Sequence, residues 1–268
     1  MMNNDCHSGS GACTQPELAS VRSLSEVELL DVWERGQNQP LIERALTMLV
    51  GACRGAPRET LAAMSIGQRD SCLLTLRESL FGPWLSSVAD CPACGERLEM
   101  TFGLSEIRAP ANPGAAHACS LHRSGYEMGL RPPNSLDLLA VSECENQSEI
   151  PGRILERCVL RVLDQGETES IEGLLARMPA EIIEAAIELV AQLDPQADVQ
   201  VNLICPSCRH TWHVIFDIVS YLWSELHERA AELLREVNLL ASAFGWRESD
   251  ILNMSSWRRQ CYAEMLIG

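Results

Sequence analysis

Apolar residues in this chain recur mostly at the three-to-four-residue spacing of a helix face, and in four short stretches at every second position. The first helical stretch begins after Ser23 or Ser25, each followed three residues on by a glutamate (Glu26, Glu28), the pattern of a reciprocal N-terminal cap. Val27, Leu30 and Trp33 follow at helical spacing, and Gly36 ends it. Pro40 opens a second helix with Leu41, Ala45, Met48 and Leu49 on one side. After a break at Cys53–Pro57 comes a third helical region, Arg58–Met64. Beyond Ser65 a longer helix carries Ile66, Leu73, Leu74, Leu76 and Leu80 as far as Gly82-Pro83. Amphipathic faces need one another as cover, so residues 21–90 are expected to form a helical block.

The alternating stretches are Leu98/Met100/Phe102, Tyr126/Met128/Leu130, Val199/Val201/Leu203 and Trp212/Val214/Phe216. Each has the period of a half-buried strand. Asn134 or Ser135 caps a short helix through Leu139. Residues 152–163 and 180–193 read as helices, the second carrying Ile182, Ile183, Ala186, Ile187 and Val190 before Asp194-Pro195. The longest apolar stripe, Val219 to Ala241, predicts a helix over 218–244 stopped by Gly245, and 250–266 reads as a last helical stretch. Residues 1–20, rich in Asn, Ser and Gly, are expected to be a disordered tail. Residues 108–120, rich in Ala, Pro and Gly, are expected to be a loop.

Composition narrows the class. A chain of 268 residues that is 46% apolar, with mean hydropathy −0.03, suits a folded globular protein. No run of apolar residues is long enough for a membrane-spanning helix. The net charge of −16 repels phosphate backbones and argues against nucleic acid as the main partner. All 21 basic residues are arginines, so neither a phosphate-loop lysine nor a Schiff-base lysine is available. The opening Met1–Gly11 has no basic start and no apolar stretch, so no secretory signal is expected. The 12 cysteines then point to reduced thiols in the cytoplasm.

Four of those cysteines change the picture. Cys91-Pro92-Ala93-Cys94-Gly95 and Cys205-Pro206-Ser207-Cys208-Arg209 are two matching Cys-Pro-x-Cys turns, each next to strand-like alternation. Together they supply four soft thiolate donors, the set that a structural zinc ion takes in tetrahedral geometry. Cys91, Cys94, Cys205 and Cys208 are therefore the candidate metal ligands, in a zinc ribbon built from two hairpins more than a hundred residues apart. A thioredoxin-like redox pair is the alternative, but it needs a βαβ context that the pattern lacks. His210 and His213 could replace a cysteine as ligands, or sit on the solvent side of their strand with Trp212 pointing inward. Cys6, Cys13, Cys53, Cys72, Cys119, Cys144, Cys158 and Cys261 show no such spacing and read mostly as small buried apolar residues.

No catalytic pattern emerges. The chain lacks His-Glu-x-x-His, a phosphate loop, a dinucleotide glycine motif and Gly-x-Ser-x-Gly. It also lacks the Pro-Cys-x-x-Cys order of zinc deaminases, because here the proline follows the first cysteine. A four-thiolate site has no open position for water, so no enzyme is expected. Near the C-terminus Trp246, Trp257, Arg258, Arg259 and Tyr262 have the composition of a protein interface, or of a helix hairpin packed on itself.

Several stretches carry a family resemblance: Leu61–Asp70, Leu76–Gly82 and the first cysteine turn, then Leu130–Asp137, Asp194–Asp198 and Phe216–Trp223. Phe244–Leu252 and Trp257–Tyr262 complete it. In order and spacing they resemble the T4-type baseplate hub assembly chaperones, found in contractile phage tails and phage-tail-like injection systems. The resemblance spans about residues 20–268. It implies a role in building the baseplate, with hub or spike proteins as partners and the tail particle as a second location. It implies no catalytic residue.

These readings combine into a mostly helical α+β fold with a small antiparallel zinc ribbon. The expected division is a tail (1–20), a helical block (21–90), the ribbon (91–104 with 196–217), an α/β insertion (105–195) and C-terminal helices (218–268). The expected function is a non-enzymatic assembly chaperone or minor component of a contractile-tail baseplate. A zinc-ribbon adaptor for a regulatory or nucleic-acid partner is the alternative.

Overall fold

The protein is described by a computed structural model over residues 20–110, 118–164, 167–168, 171, 175 and 177–267. The expected tail at 1–20 falls almost wholly outside the described residues, as does the middle of the expected loop at 108–120.

Four helices open the chain: α1 (Glu26–Gly36), α2 (Leu41–Ala52), α3 (Arg58–Ala62) and α4 (Ile66–Phe81). Ser25, not Ser23, caps α1, in a reciprocal pair with Glu28. Ser65 and Gln68 do the same for α4. The apolar faces of these helices form the main core with α9 (Ile218–Phe244), whose Leu222, Leu226, Ala230 and Leu233 are fully enclosed. Asp217 caps α9 at its start, and Gly245 closes it in the left-handed conformation (φ 68°).

Two hairpins stand on this core. β1 (Trp84–Asp90) pairs antiparallel with β2 (Arg97–Gly103), followed by the short α5 (Leu104–Ile107). β7 (Gln200–Ile204) pairs antiparallel with β8 (Thr211–Ile215). β1 lies inside the stretch read from the sequence as part of the helical block, so the first hairpin starts at Trp84. Its apolar pattern is inverted. Trp84 and Val88 face solvent, while Leu85, Ser87 and Ala89 face inward.

The segment between the hairpins has a second, smaller core. β3 (Cys119–Arg123), β4 (Tyr126–Leu130), β5 (Val159–Asp164) and β6 (Glu167–Thr168) form an antiparallel sheet in that order. Met128, Leu130, Val159 and Val162 of this sheet pack with Leu155 of α7 (Ile150–Cys158) and with Ile182 and Ala186 of α8 (Ala180–Leu193). The helix expected over 152–163 therefore ends at Cys158 and continues as a strand. Val159-Leu160-Arg161-Val162 can alternate as well as wind, and the open edge of β4 decides for the strand. Asn134 caps α6 (Ser135–Val141) and exchanges bonds with Asp137.

The two cores meet along α4. A lone β-bridge joins Ser65 to Asn134, and the Asp194 carboxylate accepts from the Gly67 N–H at 2.7 Å. A side chain at Gly67 would collide with that carboxylate. The last expected helix is broken into α10 (Glu248–Leu252) and α11 (Ser256–Ile267). Asn253 folds back on Ser249 O and Ser255 Oγ accepts from Arg258 N, so the turn between them supplies its own polar partners.

Candidate metal centre

The two cysteine turns sit at the tips of the two hairpins, and each tip is built the same way. Cys91 N–H donates to Glu96 O (2.8 Å), and Gly95 N–H donates to Cys91 O (2.9 Å). In the second tip Cys205 N–H donates to His210 O (2.9 Å), and Arg209 N–H to Cys205 O (3.0 Å). The residue after each second cysteine is left-handed: Gly95 at φ 74° and Arg209 at φ 62°. Glycine takes that conformation without strain, whereas arginine does so at a cost that its close turn must offset.

These tips bring Cys91, Cys94, Cys205 and Cys208 together, with all four sulfurs within 4.8 Å of one another. The Cys91–Cys208 sulfurs are 3.7 Å apart and the Cys94–Cys205 sulfurs 3.6 Å. A disulfide needs ~2.05 Å, so these are not bonded pairs. Sulfurs bound at ~2.3 Å around a tetrahedral ion lie ~3.8 Å apart, which the observed separations match closely. Both of these contacts cross from one hairpin to the other. One cysteine of each turn is enclosed (Cys91, Cys205) and one is exposed (Cys94, Cys208).

Their protonation is uneven. Cys205 is drawn down to about 7, chiefly by the backbone N–H of Cys208. The Glu96 backbone N–H favours the Cys94 thiolate, but the thiols of Cys208 and Cys205 outweigh it and push Cys94 up to about 12. Four thiolates this close repel one another unless a cation lies between them. The donor type, number and spacing fit a tetrahedral metal with every position filled by protein.

His210 and His213 are exposed and stand outside the cluster. The ring of His210 stacks on Trp212 (6.0 Å, 17°), and Trp212 is half-buried instead of lying in the core. Below the tips the inner faces of the hairpins carry Met100, Phe102, Val201, Val214 and Phe216 around a cavity of about 330 Å³. Phe102 meets Phe216 edge-on. At the root, Tyr221 of α9 donates its hydroxyl to Ser86 O (2.8 Å) and accepts from Ser86 N–H (3.0 Å), which ties β1 to the helix. Arg77 is enclosed beside it and forks onto Glu225 at 2.6 and 2.9 Å.

The C-terminal residues singled out in the sequence part ways. Trp246 packs between Phe244 (4.5 Å) and Tyr262 (4.8 Å). Trp257 and Arg258 are exposed, Trp257 by 74%. Arg259 is turned inward and is only 1% exposed. It binds Glu26 (2.5 Å), Glu236 (2.9 Å) and Met254 O (2.7 Å), so it anchors α11 to α1 and α9 and is not surface. Of the six other described cysteines, Cys53, Cys72 and Cys158 are buried and Cys119, Cys144 and Cys261 are partly covered. Cys6 and Cys13 lie outside the described residues.

No helix among the described residues is long and apolar enough to cross a membrane. A search of curated proteins and a search of solved structures each returned no match. A model of the family described as T4 bacteriophage base plate protein matches residues 23–223. That span runs from the start of the helical block, through both cysteine turns, into α9. It covers well over half of the chain, and the protein therefore belongs to the T4 bacteriophage base plate protein family.

Proposed function

We propose that this protein is a non-enzymatic assembly chaperone or minor component of the baseplate, in the hub and spike region of a contractile phage tail or phage-tail-like injection system. Its four-cysteine cluster holds one structural zinc ion, which makes the paired hairpins a zinc ribbon. The family match over residues 23–223 carries the reading. The closed donor set supports the non-enzymatic part, because zinc with four protein thiolates has no position left for water or substrate. Cys91, Cys94, Cys205 and Cys208 are the ligands, and the ion would supply a fixed crosslink and no reaction chemistry.

Two measurements test this together. Elemental analysis of protein purified without chelator is expected to give about one zinc per chain. Mass spectrometry of purified tail particles, beside a pull-down of the tagged full chain from the producing cell, tests the assembly role. Hub or spike proteins in the pull-down with the chain absent from particles means a chaperone, and presence in both means a component. Absence of baseplate proteins from the pull-down and of the chain from particles would refute the assembly role.

A further inference from the structure

The segment between the hairpins carries a surface that the metal centre does not use and that the second core covers only from below. A groove of about 230 Å³ runs between α7 and α8, lined by Ile150, Pro151, Ile154, Leu155, Ile187 and Val190. Its floor belongs to the second core, where Leu155 is 4% exposed. Its walls are open, and Ile187 is 40% exposed. Apolar concavities of this kind on a soluble surface commonly receive a side chain from elsewhere.

Charge decides what fits. On α8, Glu184 and Glu188 flank Ile187, with Glu181 one turn earlier; all three are exposed and none has an ion-pair partner among the described residues. On α7 the two arginines are already engaged, Arg153 with Glu149 and Arg157 with Asp137, each at 3.0 Å. The uncompensated charge at the groove is therefore negative. A second copy of this chain would bring its own −16 charge to that rim, and an anionic lipid surface would also be repelled. We infer that the α7–α8 groove receives an amphipathic helix from a partner protein, with large apolar side chains at i, i+3 or i+4 and i+7 and with lysine or arginine beside them. The inference does not depend on the zinc reading.

The test uses the full chain and two fluorescently labelled helical peptides with the same leucine stripe, one with lysine and the other with glutamate on its polar face. Anisotropy is expected to show saturable binding of the lysine peptide only. Ile187→Asn should weaken it roughly tenfold or more, as loss of a central apolar anchor does. Glu184→Gln with Glu188→Gln should weaken it several-fold and flatten its salt dependence. Val27→Asn, at an exposed apolar position on α1, should leave it unchanged. Circular dichroism and melting check folding, and Ile154→Asn gives a second groove variant if Ile187→Asn misfolds. Equal binding of the glutamate peptide, indifference to both groove variants, or failure of the lysine peptide to bind the full chain would each overturn the inference. So would a concentration-dependent dimer abolished by Ile187→Asn, which would assign the groove to a second copy.

Discussion

The helical block and the paired hairpins are neighbours in this molecule but are held together by different means. In the block, Val32, Ala45, Met48, Leu49, Leu73 and Leu76 have essentially no exposure, and the helices cover one another from several sides. In the hairpins only Leu85, Leu203, the Gly103 backbone and two cysteines are fully enclosed. Trp84, Val88, Ile204 and Ile215 are 48 to 72% exposed, and the facing strands line a cleft that is open to solvent. Two-stranded hairpins are marginal alone in water. This pair therefore depends on its two ends: the sulfur cluster at the tips, and Tyr221 with the buried Arg77–Glu225 pair at the root.

The largest expected effect breaks this contrast most directly. Structural zinc in small domains binds with ~10 kcal/mol or more of free energy that is also folding free energy. Chelation, or Cys91→Ser, should abolish hydrogen-exchange protection over residues 84–103 and 199–216. Protection over 26–81 should largely remain. Equal loss in both regions would mean that they form one unit, and no loss would remove the metal from the explanation. Next comes Leu73→Ala in the block, expected to cost about 3 kcal/mol through lost burial and the cavity left behind. Denaturant melts should show that loss without any change in bound metal.

A comparable cost is expected for Asp137→Asn, in the segment between the hairpins. Asp137 is 1% exposed and accepts from Arg131 (2.6 and 3.0 Å) and Arg157 (3.0 Å). Burial opposes its charge, but those arginines and the Asn134 N–H outweigh burial and hold its pKa below the usual carboxylate range. Breaking a buried pair of this kind costs about 3 kcal/mol. A depressed pKa stabilises the fold above the unfolded value of ~3.9 and loses that contribution as pH falls through the folded value. The gap in melting temperature between wild type and Asp137→Asn should therefore be full near neutrality and narrow below that unfolded pKa. A gap that stays constant in acid would rule out this ionic origin. Asp70 and Asp194 shift the other way, raised mainly by burial, so protonating them favours the fold. Tyr221→Phe should have the smallest effect, about 1 kcal/mol for its bonds to Ser86. That loss should appear as faster exchange in β1 and leave β7 and β8 unchanged.

Local chemistry was legible in the sequence. The caps at Ser25 and Asn134, the left-handed stop at Gly245 and both cysteine turns depend on residues within a few positions of one another. What escaped depends on distant partners. β1 escaped because its large side chains face solvent and its inward positions are mostly small. β5 reads as helix in the sequence because only the edge of β4 distinguishes the two conformations. Arg259 reads as surface until Glu26, 233 positions away, takes its charge. The site itself was legible because spacing within each turn sets two sulfurs on one side. The groove beside α8 was not, because it needs two helices separated by two sheet strands to meet.

The crossed sulfur pairs have a consequence for how the chain is made. Cys94 and its partner Cys205 are 111 positions apart. At synthesis rates of ~5–20 residues per second, the first turn emerges roughly 5–20 s before the second exists. During that interval Cys91 and Cys94 offer a metal only half a set of ligands, next to a hairpin with little core. The whole intervening segment must therefore be synthesised before the two tips can meet. If the cluster takes the proposed zinc, metal capture would come as the last step of folding.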